Sequence, residues 1–151
     1  MCNYQVTLAI FKPDLVARPV SLNLVCRMIE KEGLSIVCRK TLRLSLKEAE
    51  KFYEEHNGRF YFERLTTYMQ SSDINGVILG GEDAIKRWRR LMGPTKPCIA
   101  KRDSPASIRG RFGLCDTQNS VHGSDSVENA MKEINLIFPE FCWKEWLRSL
   151  K

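Results

Sequence analysis

The chain has two histidines, and one of them, His122, sits in the run Asn119-Ser120-Val121-His122-Gly123-Ser124-Asp125-Ser126. A short apolar approach at Val121 followed by Gly, Ser and Asp reads as a strand end running into a helix N-terminus. Such a terminus presents free N–H groups and a partial positive charge, which suits an anion such as phosphate. An imidazole beside it is a candidate nucleophile for phosphoryl transfer. Arginine and lysine side chains can meet phosphate oxygens, because arginine supplies a planar fork and lysine a point charge. Each has a plainer reading: solvated surface for the charges, a structural histidine for His122. Lys86, Arg87 and Arg90 fit that plainer reading, since not every charge on one helix can face one pocket.

These residues need a scaffold, and the composition supplies one. At 151 residues the chain fits one compact domain, 1–151. Its 43% hydrophobic content is enough for a real core. The net charge of +6 favours anionic partners such as nucleotides, nucleic acid or acidic lipid, with a merely solvated basic surface as the even alternative. The six cysteines are Cys2, Cys26, Cys38, Cys98, Cys115 and Cys142. None forms a CxxC pair, and the histidines add no ligand-like spacing, so zinc is not expected. They sit mostly in apolar runs and read as small hydrophobes, reduced thiols of an intracellular protein. Met1 to Gln5 enters strand-like sequence at once, so neither a secretory signal nor an Arg-rich presequence is expected. Val6–Phe11 is too short to span a bilayer, and no membrane partner is expected.

The periodicities place the elements. Val6–Phe11 reads as a buried strand stopped by Lys12-Pro13-Asp14. Ser21 caps a helix with Leu22, Val25, Cys26 and Ile29 at helical spacing, and Gly33 lies past its end. Leu34–Leu44 alternates as a half-exposed strand, a candidate sheet edge. Ser45 and Glu48 form a capping box that opens a helix through His56, ended by Asn57-Gly58. A short helix covers Tyr61–Met69, and Asn75–Leu79 is a short buried strand. Asp83–Leu91 is a basic helix, stopped by Gly93-Pro94. Pro94–Gly113 reads as a long loop, a common place for function. Leu114–His122 holds the last strand, Asp125–Leu136 the last helix, and Phe138–Leu150 a Trp-rich tail. This order suits an α+β fold: an antiparallel sheet with helices packed on one face, in a ferredoxin-like βαββαβ arrangement.

Several of these segments together resemble the nucleoside diphosphate kinase family over nearly the whole length. Asn119 to Asp125 matches its Asn-x-x-His-Gly-Ser-Asp signature. The opening strand with Lys12-Pro13-Asp14 matches its N-terminal lysine motif. Arg89 to Thr95 and Ile108-Arg109-Gly110 match its phosphate-binding segments. The resemblance implies a ping-pong reaction, in which His122 takes the γ-phosphoryl group of ATP and passes it to a nucleoside diphosphate. It implies that Glu133 hydrogen-bonds the imidazole and fixes its tautomer. Lys12, Arg89, Thr95, Arg109 and Asn119 then surround phosphates and ribose, with Tyr53 near the phosphates. Tyr61, where the family usually shows Phe, and Leu65 sandwich the base, with core packing as the alternative. Ser124 supports the histidine loop or simply caps the helix. Mg2+ is expected with ATP, held through phosphate oxygens and water rather than by named protein ligands.

Other nucleotide motifs are missing: GxxxxGK[ST], and the HRD and DFG set. RNP-type, KH and zinc-finger signatures are also missing, which argues against a nucleic-acid partner. The Thr95–Arg109 segment is a few residues longer than is typical of the family. Arg111 stands where the usual pattern is acidic, adding positive potential near the pocket. A second reading is therefore a nucleotide-binding scaffold of the same fold with weak or no turnover. Homo-oligomerisation stays open. The cytoplasm is the default compartment, with mitochondria as the alternative.

Overall fold

The computed structural model describes residues 3–150. The expected readings of Met1 and Cys2 fall outside that range. The sheet has four strands in the order β2-β3-β1-β4: β1 (Tyr4–Phe11), β2 (Ser35–Leu42), β3 (Ile74–Glu82) and β4 (Val121–Gly123). All pairings are antiparallel. This is the ferredoxin-like order, with β2 at an edge as its half-exposed alternation predicts. The helices are α1 (Pro13–Val16), α2 (Pro19–Lys31), α3 (Leu46–Phe52), α4 (Phe62–Gln70), α5 (Ala84–Met92), α6 (Pro97–Asp103), α7 (Ile108–Phe112), α8 (Val127–Ile137) and α9 (Trp143–Ser149). A 3₁₀ turn covers Glu54–His56. Among the described residues no helix is long and apolar enough to cross a membrane.

Helices cover both faces of the sheet rather than one. The cause lies in β1, which is buried from Val6 to Phe11 without a break and so needs cover on both sides. Val6, Leu8 and Ile10 face α3, α4 and α8, against Ala49, Phe52, Met69, Ile134 and Ile137. Ala9 and Phe11 face α1, α2 and α5, against Leu15, Val25, Ile29, Trp88 and Met92. Each such large side chain, fully buried, contributes about 1.5–3 kcal/mol.

Several boundaries differ from expectation for local reasons. Lys12-Pro13-Asp14 does not only stop the strand, since Pro13 at the first helical position opens α1. The next helix starts at Pro19, ahead of Ser21, by the same device. The helix after the Ser45–Glu48 capping box ends at Phe52 and tightens into the 3₁₀ turn before His56. β3 is longer than expected and runs to Glu82 through Gly80 and Gly81. A Cβ at Gly80 would stand 2.6 Å from Trp146 Cζ2, so the glycine admits the α9 indole against the sheet. The expected long loop holds two helices, one started by Pro97 and one capped by Ser107, whose Oγ accepts from Gly110 N. The last strand shrinks to Val121–Gly123, because Ser120 (φ 74) turns the chain just before it. The Trp-rich tail is a helix in part, α9. The five described cysteines are free, yet none is fully buried: Cys26 and Cys38 are half-buried against the two cores, and Cys98, Cys115 and Cys142 are exposed.

Candidate active site

β4 sets the orientation of the His122 ring. Pairing puts His122 opposite Ile10 of β1. Strand alternation then turns Val121 and Gly123 to one face and His122 to the other. A Cβ at Gly123 would lie 2.6 Å from Trp88, so that indole fills the first face, and its Nε1 donates to the His122 backbone carbonyl at 3.2 Å. On the second face the imidazole stands edge-on to Phe52 (5.0 Å) and Tyr53 (5.8 Å), at 69° and 88°.

Glu133 of α8 reaches the imidazole, with Oε1 2.8 Å from His122 Nε2. Its other oxygen accepts from Ser124 Oγ. Ser124 therefore supports the histidine through Glu133. The helix-cap alternative belongs to Ser126 instead, whose Oγ accepts from Asn129 N at 3.1 Å. α8 begins at Val127, so Ser124–Ser126 separates the strand end from the helix terminus expected to adjoin it. A carboxylate at Nε2 selects the tautomer with the proton there, and leaves Nδ1 with the lone pair.

Ser120, fully buried at φ 74, lies in the left-handed region that L-residues other than Asn and Asp seldom occupy. Such a conformation costs about 1–3 kcal/mol and persists only where its surroundings hold it. Here Ser120 O accepts from Lys12 N (2.9 Å), and Ser120 Oγ donates to Asp14 Oδ2 (3.2 Å). Asp14 in turn accepts from the Tyr68 hydroxyl and pairs with Arg18. The lysine motif and the histidine motif are thus joined by direct hydrogen bonds.

A cavity of about 550 Å³ opens in front of His122. Lys12, Tyr53, Tyr61, Leu65, Arg89, Thr95, Arg109, Asn119 and Glu133 line it together with the histidine. The volume is in the range of small-molecule and cofactor sites. Basic side chains outnumber acidic ones on its wall. Of the expected residues only Ser124 stays behind the wall. Leu65 lines the cavity and also packs against the core beneath.

The polar atoms of the wall are unevenly satisfied. Lys12 is buried, its Nζ donating to Thr117 O at 3.2 Å. Burial above all, and then Arg109, lower its ammonium to about 7, although Asp14 and Cys115 oppose them. Arg109 holds Gly93 O and Val121 O through its terminal nitrogens, both at 2.9 Å. Burial and then Arg89 bring it down to about 10, still charged at neutral pH. Burial pushes the Tyr53 phenol up, reinforced by Glu133. Asn119 Nδ2 donates to Thr95 O (3.0 Å) and Asp116 O (3.2 Å), which fixes the orientation of the amide. Tyr53 OH, Arg109 Nε and Asn119 Oδ1 are buried and have no partner within the described residues. Buried polar atoms without a partner are rare in native folds, and these three belong to residues that line the cavity.

Some placements were not legible. His56, the other histidine, lines the cavity and its Nδ1 lies 2.6 Å from Tyr61 OH. Its scarcity in the sequence was the available signal. Lys132 and Asn129 on α8 also face the cavity. Arg111 does not; two positions after Arg109 on α7 it points away, over Phe112 at 5.1 Å and toward Met28 Sδ. It adds no charge to the wall. Arg87 and Arg90 are not merely solvated, since both pair with Glu32.

A family model described as nucleoside diphosphate kinase matches residues 5–142. The chain belongs to the nucleoside diphosphate kinase family. It is 46% identical over 143 residues to nucleoside diphosphate kinase 6 of Danio rerio, covering 95% of this chain and 81% of that one. It is 44% identical over 134 residues to a nucleoside diphosphate kinase of Histophilus somni, covering 89% and 92%. The nucleoside diphosphate kinase of Aquifex aeolicus superposes with a TM-score of 0.84 at 38% identity, covering 89% of this chain and 95% of that chain. Kinships to type 6 proteins and to bacterial nucleoside diphosphate kinases assign this chain a function of the nucleoside diphosphate kinase type, among the phosphotransferases.

Proposed function

We propose that the protein transfers the γ-phosphoryl group of ATP to nucleoside diphosphates by a ping-pong route through a phosphohistidine on His122. The observation that carries this is the His122–Glu133–Ser124 chain, which holds Nε2 and leaves Nδ1 as the nucleophile facing a basic cavity. Nδ1 attacks the γ-phosphorus, the bond to the bridging oxygen breaks, and the diphosphate leaves with the electron pair. A second nucleoside diphosphate then attacks the phosphohistidine along the reverse path. Little proton transfer is needed, so positioning and charge neutralisation do most of the work.

The remaining wall residues divide by chemistry. Lys12, Arg89 and Arg109 neutralise phosphate oxygens, and Thr95 and Tyr53 donate hydroxyl hydrogen bonds to them. Asn119 Oδ1 is an acceptor, so its partner is a donor, a ribose hydroxyl and not a phosphate oxygen. Tyr61 and Leu65 sandwich the base. Stacking reads the π-face and tolerates different bases. The metal enters with its substrate as magnesium–ATP. Magnesium bound through phosphate oxygens and water calls for no dedicated protein ligand group.

Initial rates test the route. With ATP varied at several fixed concentrations of a nucleoside diphosphate, double-reciprocal plots are expected to be parallel. Intersecting lines would replace the ping-pong route by direct transfer in a ternary complex. Absence of transfer would favour the nucleotide-binding scaffold.

A further inference from the structure

We propose that the Tyr61 hydroxyl is a positioning group that fixes the tautomer of His56, making His56 Nε2 a permanent hydrogen-bond donor to the phosphates of a bound nucleotide. The inference rests on the nucleotide reading of the cavity. Both residues line that cavity, one from the 3₁₀ turn and one from the start of α4. Tyr61 OH and His56 Nδ1 are 2.6 Å apart, with the rings 5.5 Å apart at 59°.

Chemistry assigns the direction. A phenol O–H is a better donor than a neutral imidazole N–H, and an imidazole lone pair a better acceptor than a phenol oxygen. In this contact the phenol therefore donates and Nδ1 accepts. A neutral imidazole that accepts at Nδ1 carries its proton at Nε2. An imidazolium carries one there too, so Nε2 donates in either charge state. Among the described residues Nε2 has no hydrogen-bond partner. The neighbouring charges are Glu54 and Glu55 on its own turn, Arg64 on α4, and Lys132 and Glu133 on α8; Glu54 is occupied by Lys132 at 2.7 Å. None of them is hydrogen-bonded to the ring, so the phenol alone selects the tautomer. A Phe at position 61, usual in the family, would stack on a base equally well. It would leave neutral His56 free to turn a lone pair toward phosphate oxygens, which repels them.

With two histidines in the chain, the imidazole nitrogens are readable by long-range 15N–1H correlation. At pH 8 the wild type is expected to show His56 as the Nε2–H form, and Tyr61→Phe a mixture of both tautomers. ADP titrated by calorimetry at the same pH should bind Tyr61→Phe about three- to tenfold more weakly, the worth of one hydrogen bond. His56→Ala should weaken ADP as well, and adding Tyr61→Phe to it should change nothing further. The proposal is overturned if His56 stays Nε2–H in Tyr61→Phe, or if Tyr61→Phe costs as much in the His56→Ala background as alone. A wild type that does not bind ADP would count against the nucleotide reading itself, and the imidazole signals would still decide the Tyr61 contact.

Discussion

Glu133 uses both its oxygens, one on His122 Nε2 and one on Ser124 Oγ. Glu133→Gln keeps the shape but replaces one acceptor with an amide donor. If the amide turns that donor to Nε2, the imidazole takes the opposite tautomer and Nδ1 loses its lone pair. We expect transfer to fall by at least ~10²-fold, with nucleotide affinity nearly unchanged, as when a catalytic histidine is given the wrong tautomer. Lys12 makes a second prediction. Its ammonium is lowered to about 7, so above that pH the ligand-free protein holds it largely neutral. Bound phosphates favour the charged form, so at pH 8 nucleotide binding should take up a proton, and at pH 6 it should not. Calorimetry in buffers of different ionisation enthalpy reads that uptake. Most of these residues were legible because they stand in short ordered motifs. His56 was not, because nothing local marks a histidine at a helix end as facing a ligand. The role of Ser124 was ambiguous because it depends on a partner nine residues away, through space.

At the scale of elements, β4 is short and its seating against α5 decides where the imidazole points. A methyl at Gly123 would meet Trp88 Cδ1 and Nε1 at 2.6 Å and Met92 Cε at 2.7 Å, all from buried side chains. Gly123→Ala should therefore destabilise the fold by about 1–3 kcal/mol, or about 2–4 °C of melting temperature per kcal/mol in a chain of this size. It should also slow transfer, since the indole holds the His122 carbonyl. Scanning calorimetry beside a rate measurement checks both, and an unchanged melting temperature would contradict the packing account. Strong periodicity made the main helices and the inner strands legible. What hid α6 and α7 was composition. The stretch is rich in Pro, Gly and Ser, yet its start signals were present in Pro97 and Ser107, and they outweigh the loop-like average. The short β4 was hidden by the turn at Ser120, a conformation that a serine does not announce.

At the scale of the molecule, the sheet is a divider with a core on each side. Both faces contribute to the site: α8 brings Glu133 from one, and α5 brings Trp88 and Arg89 from the other. The unbroken burial of β1 carried the signal for two covered faces, and the βαββαβ order alone does not. The longer Thr95–Arg109 segment folds into α6 and α7 without removing Thr95 or Arg109 from the cavity wall. The scaffold reading therefore draws no support from misplaced residues. The direct measurement is a label transfer. Protein incubated with γ-labelled ATP and magnesium, then freed of nucleotide, is expected to carry acid-labile phosphate. It should pass that phosphate to added GDP, and His122→Ala should carry none. Wild-type protein without label, or a His122→Ala variant that keeps it, would contradict the phosphohistidine account.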